Sequence, residues 1–462
     1  MAGPSLSTTF PTEVQLLVLK NLDAQSLSFL RSTCRLYRDI ITTDCQDIWK
    51  DLHGIRWPNG KRNPTRLRNE FTTWSDSGWM VVNPPVSYAT EEGIAEEEEQ
   101  FNWFNKFMQR AELDSTVLQR LKNLDIELST ENTIWFSLLK DGEDIIDKVK
   151  AIIVEQREIP HIELCNIGER VLNGIARCAS YQEWRYLNDP GTAEEAIEDG
   201  AIAIAKFYQN HEKLMQHKDI NSVENYVNAK LEKLAKILQM RLNRRLGLSN
   251  NMDATNNECP YPLMEVIEEM KVFFETGCYD EGESIDPFRG NEGDYYNHKN
   301  SLIEHVLDSR IGIPITLAVV YTAIVRRACG VHLDIIGLPG HIVVGLPFDG
   351  NDTNNSSRVF VDTFRGGRIL SFSDVQAIVR RFNITFNDNM VKPISHKKVW
   401  QRMVRNLIQC HSMQALTEEN GIESTNDWKV AVPLRFFLED LAPNVNTFRQ
   451  LVEAPGWCPR FC

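Results

Sequence analysis

The run Ile311–Val325 carries no charged side chain and lies between Arg310 and the pair Arg326-Arg327. It falls short of the about 20 residues that cross a bilayer, so it is expected as a buried helix with Gly312-Ile313-Pro314 at its head. Beyond it the pattern turns to strands. His332 to Leu346 is rich in β-branched residues broken by Gly337, Pro339 and Gly340, Arg358 to Phe364 reads as a second strand, and Asp349 to Ser357 is a turn-rich loop. Ser371-x-x-Asp374 can cap a following helix. Residues 395–452 then read as helical, with Trp400, Met403, Val404, Leu407 and Ile408 on one side.

Upstream the spacing is helical almost throughout. Leu118, Leu121, Leu124 and Leu128, then Ile145, Ile146, Val149, Ile152 and Ile153, predict a helical layer over 101–190. Thr192-x-x-Glu195 suggests a capped helix reaching Tyr208, Val223 to Leu246 another helix, and Ser301-x-x-Glu304 a further cap. Asn250 to Glu258 is a polar loop. At the N-terminus, Val14, Leu17, Leu22, Leu27, Leu30 and Cys34 recur at intervals that suit short amphipathic helices, with Asp23 at a turn and Cys34 expected inside as a small apolar residue. The fold class is therefore α+β and mostly helical. A three-helix unit occupies 5–57, a linker with the acidic run Glu96 to Glu99 spans 58–100, and a helical region covers 101–190. A domain with a small antiparallel sheet fills 191–390, and a helical tail 391–455.

A formal net charge of −14 disfavours binding to phosphate backbones, so nucleic acid is not an expected partner. The ten cysteines are scattered, with no CxxC pair and no histidine at zinc-ligand spacing; no metal or cofactor is expected, and reduced thiols in the cytoplasm or nucleus fit the pattern. Glu13 and Lys20 interrupt any N-terminal apolar run of the secretory kind, and neither secretion nor a membrane is signalled.

The run Phe10-Pro11-Thr12-Glu13-Val14, with Leu17, Leu22-Asp23, Leu27, Leu30, Cys34-Arg35 and Trp49, resembles the F-box. So small a helical piece has little interior and leaves apolar side chains for a partner to cover. The resemblance implies docking onto a Skp-type adaptor and through it a cullin scaffold. Phe10, Pro11, Glu13, Val14, Leu17, Leu22, Leu27, Leu30 and Trp49 are the residues it nominates.

Four further blocks resemble the SirB-type transglutaminase-like domain. They are Tyr295-Tyr296-Asn297-x-x-Asn300-Ser301, Arg310-x-Gly312-Ile313-Pro314-Ile315-Thr316-Leu317, Gly337-Leu338-Pro339-Gly340-His341, and Val361-Asp362-x-Phe364-x-Gly366-Gly367. Such enzymes place a cysteine at a helix start, where thiolate is favoured, a histidine that shuttles the proton, and an aspartate that fixes its tautomer. The resemblance puts His341 and Asp362 in the last two places. Pro314 fills the nucleophile's place and has no atom that can attack a carbonyl. Cys329 cannot replace it, being about 22 Å away along a helix, and Thr316 is expected to pack within the helix.

Together the two motifs resemble the F-box only proteins of the twenty-one type. That family usually continues into a small β-rich domain for which nothing strand-rich remains here before Cys462. The implied function is the substrate-recognition subunit of a ubiquitin ligase, holding an unknown protein for degradation, with His341 and Asp362 as vestiges. The alternative is a degenerate hydrolase or transferase acting on peptide amides.

Overall fold

The structure is a computed structural model that describes residues 11–57, 73–74, 80–81, 102–124, 134, 137–138, 141–158, 162–188, 196–208, 222–248, 260–280, 283–347, 358–417 and 434. By its contacts the chain divides into two compact units, one built mainly on Met1–Ile175 and the other on Ala176–Gln209 and Asn221–Ala442.

In the first unit, α1 (Thr12–Leu19) begins after Pro11, whose φ of −55° suits the approach to a helix. Asp23 ends the following turn and caps α2 (Ala24–Thr33), its carboxylate accepting from the Ser26 N–H at 2.7 Å. From there α3 (Arg35–Asp39) passes through a π-helical turn, Ile40–Asp44, into α4 (Gln46–Arg56). In the segment expected as a linker, β1 (Thr73–Trp74) pairs antiparallel with β2 (Met80–Val81). Helix α5 (Trp103–Leu124) completes the core of the N-terminal helices. Its Phe104 and Phe107 pack on Trp49 with ring centroids 5.3 and 4.9 Å away. The Trp49 indole N–H donates to the Ile41 carbonyl at 2.8 Å, and the Trp57 indole N–H to Asp114 at 2.9 Å, so both buried donors are satisfied. The unit continues through α6 (Ile146–Glu158) into the first half of α7 (Ile162–Asn188), whose residues from Ala176 belong to the second unit.

The second unit is organised around the uncharged run. Its helix spans Pro314–Cys329, with every residue from Pro314 to Val325 buried; Pro314 opens it and Gly330, at φ 70°, closes it. Four helices pack on it, α8 (Ile197–Phe207), α9 (Ser222–Leu246), α11 (Ile303–Ser309) and α14 (His396–Thr417), while α10 (Leu263–Glu275) packs on α9. The central helix is α12. A hairpin of β3 (Cys278–Asp280) and β4 (Glu283–Ile285) precedes the short parallel pair β5 (Arg289–Gly290) and β6 (Ile311–Gly312) that leads into α12.

Gly200 of α8 and Trp400 of α14 show how tightly this layer closes. A Cβ at Gly200 would lie 2.3 Å from the Trp400 ring, and the Trp400 indole N–H donates to the Ile197 carbonyl at 2.7 Å. Glu198, wholly buried on α8, accepts from Arg326 and Arg327 at the end of α12, at 2.5 and 3.1 Å.

Beyond α12 lies an antiparallel sheet in the order β10-β9-β8-β7: β7 (Asp334–Leu338), β8 (His341–Gly345), β9 (Phe360–Asp362) and β10 (Arg368–Leu370). Pro339 and Gly340 form the β7–β8 turn, with Gly340 at φ 66°. Alternation assigns Ile336, Leu338, Val343, Phe360 and Leu370 to one face, where they meet Val375 and Val379 of α13 (Phe372–Arg380). Helix α12 packs against β8 as well.

One expected cap lies outside the described residues and another is not built as read. Thr192 and Glu195 lie outside the described residues, and α8 begins at Ile197 after Ala196, which makes no side-chain cap. Ser301 does not cap α11, because His298–Ser301 forms a 3-10 turn first and Leu302 takes the N-cap place. The Ser371 cap is built, as a reciprocal box with Asp374. Of the apolar residues read onto α14, Trp400, Met403, Val404 and Leu407 are buried and Ile408 partly so.

Candidate functional site

Two regions carry the residues nominated from sequence. On the N-terminal helices, Pro11, Glu13, Val14 and Leu17 are exposed, the last by 66%. Val14, Leu17 and Val18 fall on one face of α1 because residues three and four apart are helix neighbours, while Gln15 and Leu19 turn inward. Phe10 lies outside the described residues. Leu27 and Trp49 are wholly buried and belong to the core rather than to a contact surface, since α5 supplies the rings that cover Trp49. Leu22 and Leu30 are partly buried against the same core. Cys34, expected inside, is exposed: it adopts an extended conformation, φ −153°, at the corner between α2 and α3. Phe29, Leu36 and Ile55 are exposed apolar residues that the sequence reading passed over, at 70%, 44% and 78%. Phe29 had a signal, because two positions past Leu27 on a helix is about 200° around the axis, away from the core.

In the second unit His341 opens β8 and Asp362 closes β9, and the imidazole Nε2 lies 3.1 Å from Asp362 Oδ1. The same carboxylate oxygen accepts from the N–H groups of Phe364 and Arg365 at 3.2 and 3.3 Å, capping the turn Thr363–Arg365. Asp362 thus orients the imidazole and holds the loop that leaves its own strand. The pair lies on a cleft of about 200 Å³ between the sheet and α13, lined also by Arg365, Arg368, Arg381 and Phe382. Asp374 lines it too, its carboxyl held below the usual carboxylate range by hydrogen bonds from the Ser371 hydroxyl and N–H, with Arg368 adding to the effect.

No Cys, Ser or Thr stands among the residues lining the cleft. Pro314 is buried at the start of α12, and Cys329 is the last residue of that helix. Thr316 is fully buried inside α12. An aromatic ring links the strands ahead of α12 to the imidazole: Phe364 would be 2.4 Å from a Cβ on Gly290, and its ring centroid is 6.2 Å from that of His341. The arrangement holds an oriented imidazole and three guanidinium groups, with no Cys, Ser or Thr side chain among the described residues that line the cleft.

Residues 8–49 match the F-box domain and residues 225–405 the Transglutaminase-like superfamily. This is an F-box protein with a transglutaminase-like domain. The F-box protein is homologous over 90% of its length to F-box only protein 21 of Mus musculus, with 22% identity over 428 residues, which cover 60% of the mouse chain. The corresponding figures for F-box only protein 21 of Homo sapiens are 23% over 429 residues, again 90% of this chain and 60% of that one. A UPF0162 protein of Xylella fastidiosa (strain 9a5c) is 31% identical over 163 residues, 34% of this chain and 52% of its own. The F-box protein therefore spans between half and two thirds of the length of these curated relatives. No solved structure matches it. Among the described residues, no helix is long and apolar enough to cross a membrane.

Proposed function

We propose that this F-box protein is the substrate-recognition subunit of a Skp-cullin-F-box ubiquitin ligase, acting in the cytoplasm or nucleus. Its N-terminal helices dock onto the Skp-type adaptor and thereby the cullin scaffold. Its transglutaminase-like domain holds a protein destined for ubiquitination and performs no chemistry of its own. The observation that carries the reading is the α1 face, where Val14, Leu17 and Val18 are left in water by a unit whose own core is already closed. Capture of adaptor and cullin by the intact protein tests it. Pro11→Ala combined with Val14→Asp is expected to weaken recovery of both, and undiminished recovery would count against the docking.

A second reading, a degenerate hydrolase or transferase on peptide amides, draws on the 3.1 Å contact between His341 and Asp362. It requires turnover that depends on His341. Deamidation, cross-linking or cleavage of a broad peptide pool that falls to background in His341→Ala would favour this reading over the first; equal background in both proteins would end it.

A further inference from the structure

The cleft beside His341 gathers three guanidinium groups, of which Arg368 acts on Asp374 through space. Arg365 follows β9, Arg368 opens β10 and Arg381 is the C-cap of α13, and all three are exposed. None forms an ion pair among the described residues, although the chain is rich in such pairs elsewhere, as at Arg241 with Glu269 and Arg326 with Glu198. The two carboxylates in the same cleft are already engaged. Asp362 is held by the His341 imidazole and two backbone N–H groups, and Asp374 by the Ser371 cap.

Apolar surface stands beside the charges. Phe382, 48% exposed, lies over Gly340, where a Cβ would come within 2.5 Å of its ring, and Ile378 and Leu370 line the same cleft. Gly340 is held at φ 66° by the β7–β8 turn, so the absence of a side chain there serves both the turn and the seating of the ring.

We infer that this cleft is the seat for an acidic peptide segment of the protein substrate, one that sets Glu or Asp side chains on Arg365, Arg368 and Arg381 and an apolar side chain against Phe382. Charge complementarity selects this occupant. The chain as a whole carries −14 and repels acidic segments at long range, but within a screening length of about 8 Å the three guanidiniums outnumber the carboxylates of Asp362 and Asp374, both of which already accept hydrogen bonds. Arginine's planar fork also matches a carboxylate in two-point contact. The inference deepens the recognition reading and rests on it.

The test uses the full-length protein and a short fluorescein-labelled peptide of alternating glutamate and leucine ending in phenylalanine, followed by anisotropy. The glutamate peptide should bind, and binding should weaken as salt rises. Arg365→Glu, Arg368→Glu and Arg381→Glu together should weaken it by about ten-fold or more, and Arg381→Gln alone by about three-fold, with melting temperatures unchanged. A glutamine-for-glutamate peptide bound as tightly, or a triple variant with unaltered affinity, would overturn the inference. So would binding confined to a phosphoserine version of the peptide. Replacing Glu96 to Glu99 by glutamine should leave the affinity as it was; a marked gain would make the chain's own acidic run the occupant and overturn the assignment. Adaptor capture is measured on the same samples. If the adaptor is captured and the arginines do not matter, this inference alone fails; if the arginines matter and the adaptor is not captured, the ligase reading fails alone.

Discussion

The N-terminal helices and the transglutaminase-like domain treat apolar residues in opposite ways. Helix α1 leaves Val14, Leu17 and Val18 facing water, whereas α12 hides every residue from Pro314 to Val325. The first unit puts its exposed apolar side chains where another protein can cover them. The second encloses its apolar helix, and its exposed cleft is lined by arginines around the His341–Asp362 pair. Surface apolarity thus distinguishes the first region and surface charge the second.

The contrast breaks first at the cores. Trp49→Ala removes the ring that joins α4 to α5 and should cost about 3–5 kcal/mol, read as a lower denaturant midpoint with loss of adaptor capture. In the second unit, Gly200→Ala drives a methyl into the Trp400 ring and should cost about 3 kcal/mol, with adaptor capture retained. A variant that lost adaptor binding through Gly200 would erase the distinction between the units.

Acid should separate the units next. Burial, with Lys106 and Arg110 nearby, lowers the His53 pKa from 6.5 to about 4. The folded state thus binds fewer protons than the unfolded chain between those values. Stability should fall as pH drops through 6.5 and level off below about 4, a loss of about 3 kcal/mol. Urea melts from pH 7 to 4 measure it, and His53→Asn should flatten the slope.

The smallest effect belongs to the dyad. Asp362→Asn keeps an oxygen for the Phe364 and Arg365 N–H groups and loses only the charge, so it should cost about 1 kcal/mol. Loss of His341-dependent turnover in that variant would turn the cleft from a binding surface into an active site.

What could be read in advance depended on the range of the deciding interactions. The buried helix and the Ser371–Asp374 box follow from local pattern, the proximity of His341 and Asp362 is what the resemblance to the transglutaminase-like domain implies, and the structure has all three. It splits the segment His332 to Leu346 into the two strands β7 and β8. Leu27 and Trp49 were misplaced because their cover, Phe104 and Phe107, comes from a helix beyond a long intervening segment. Cys34 and Ser301 were misplaced by short irregularities, an extended corner residue and a 3-10 turn, that periodicity does not register. Strand β10 spans only Arg368–Leu370 and is defined by its pairing with β9. The arginine cleft has no sequence signature, since its three guanidiniums come from three elements that only the folded sheet and α13 bring together.

The most direct measurement is calorimetric titration of the purified protein with a Skp-type adaptor, comparing the native sequence with Val14→Asp/Leu17→Asp. Both positions are exposed, so the melting temperature should hold while affinity falls at least about thirty-fold. An unchanged affinity in the folded variant would contradict the account.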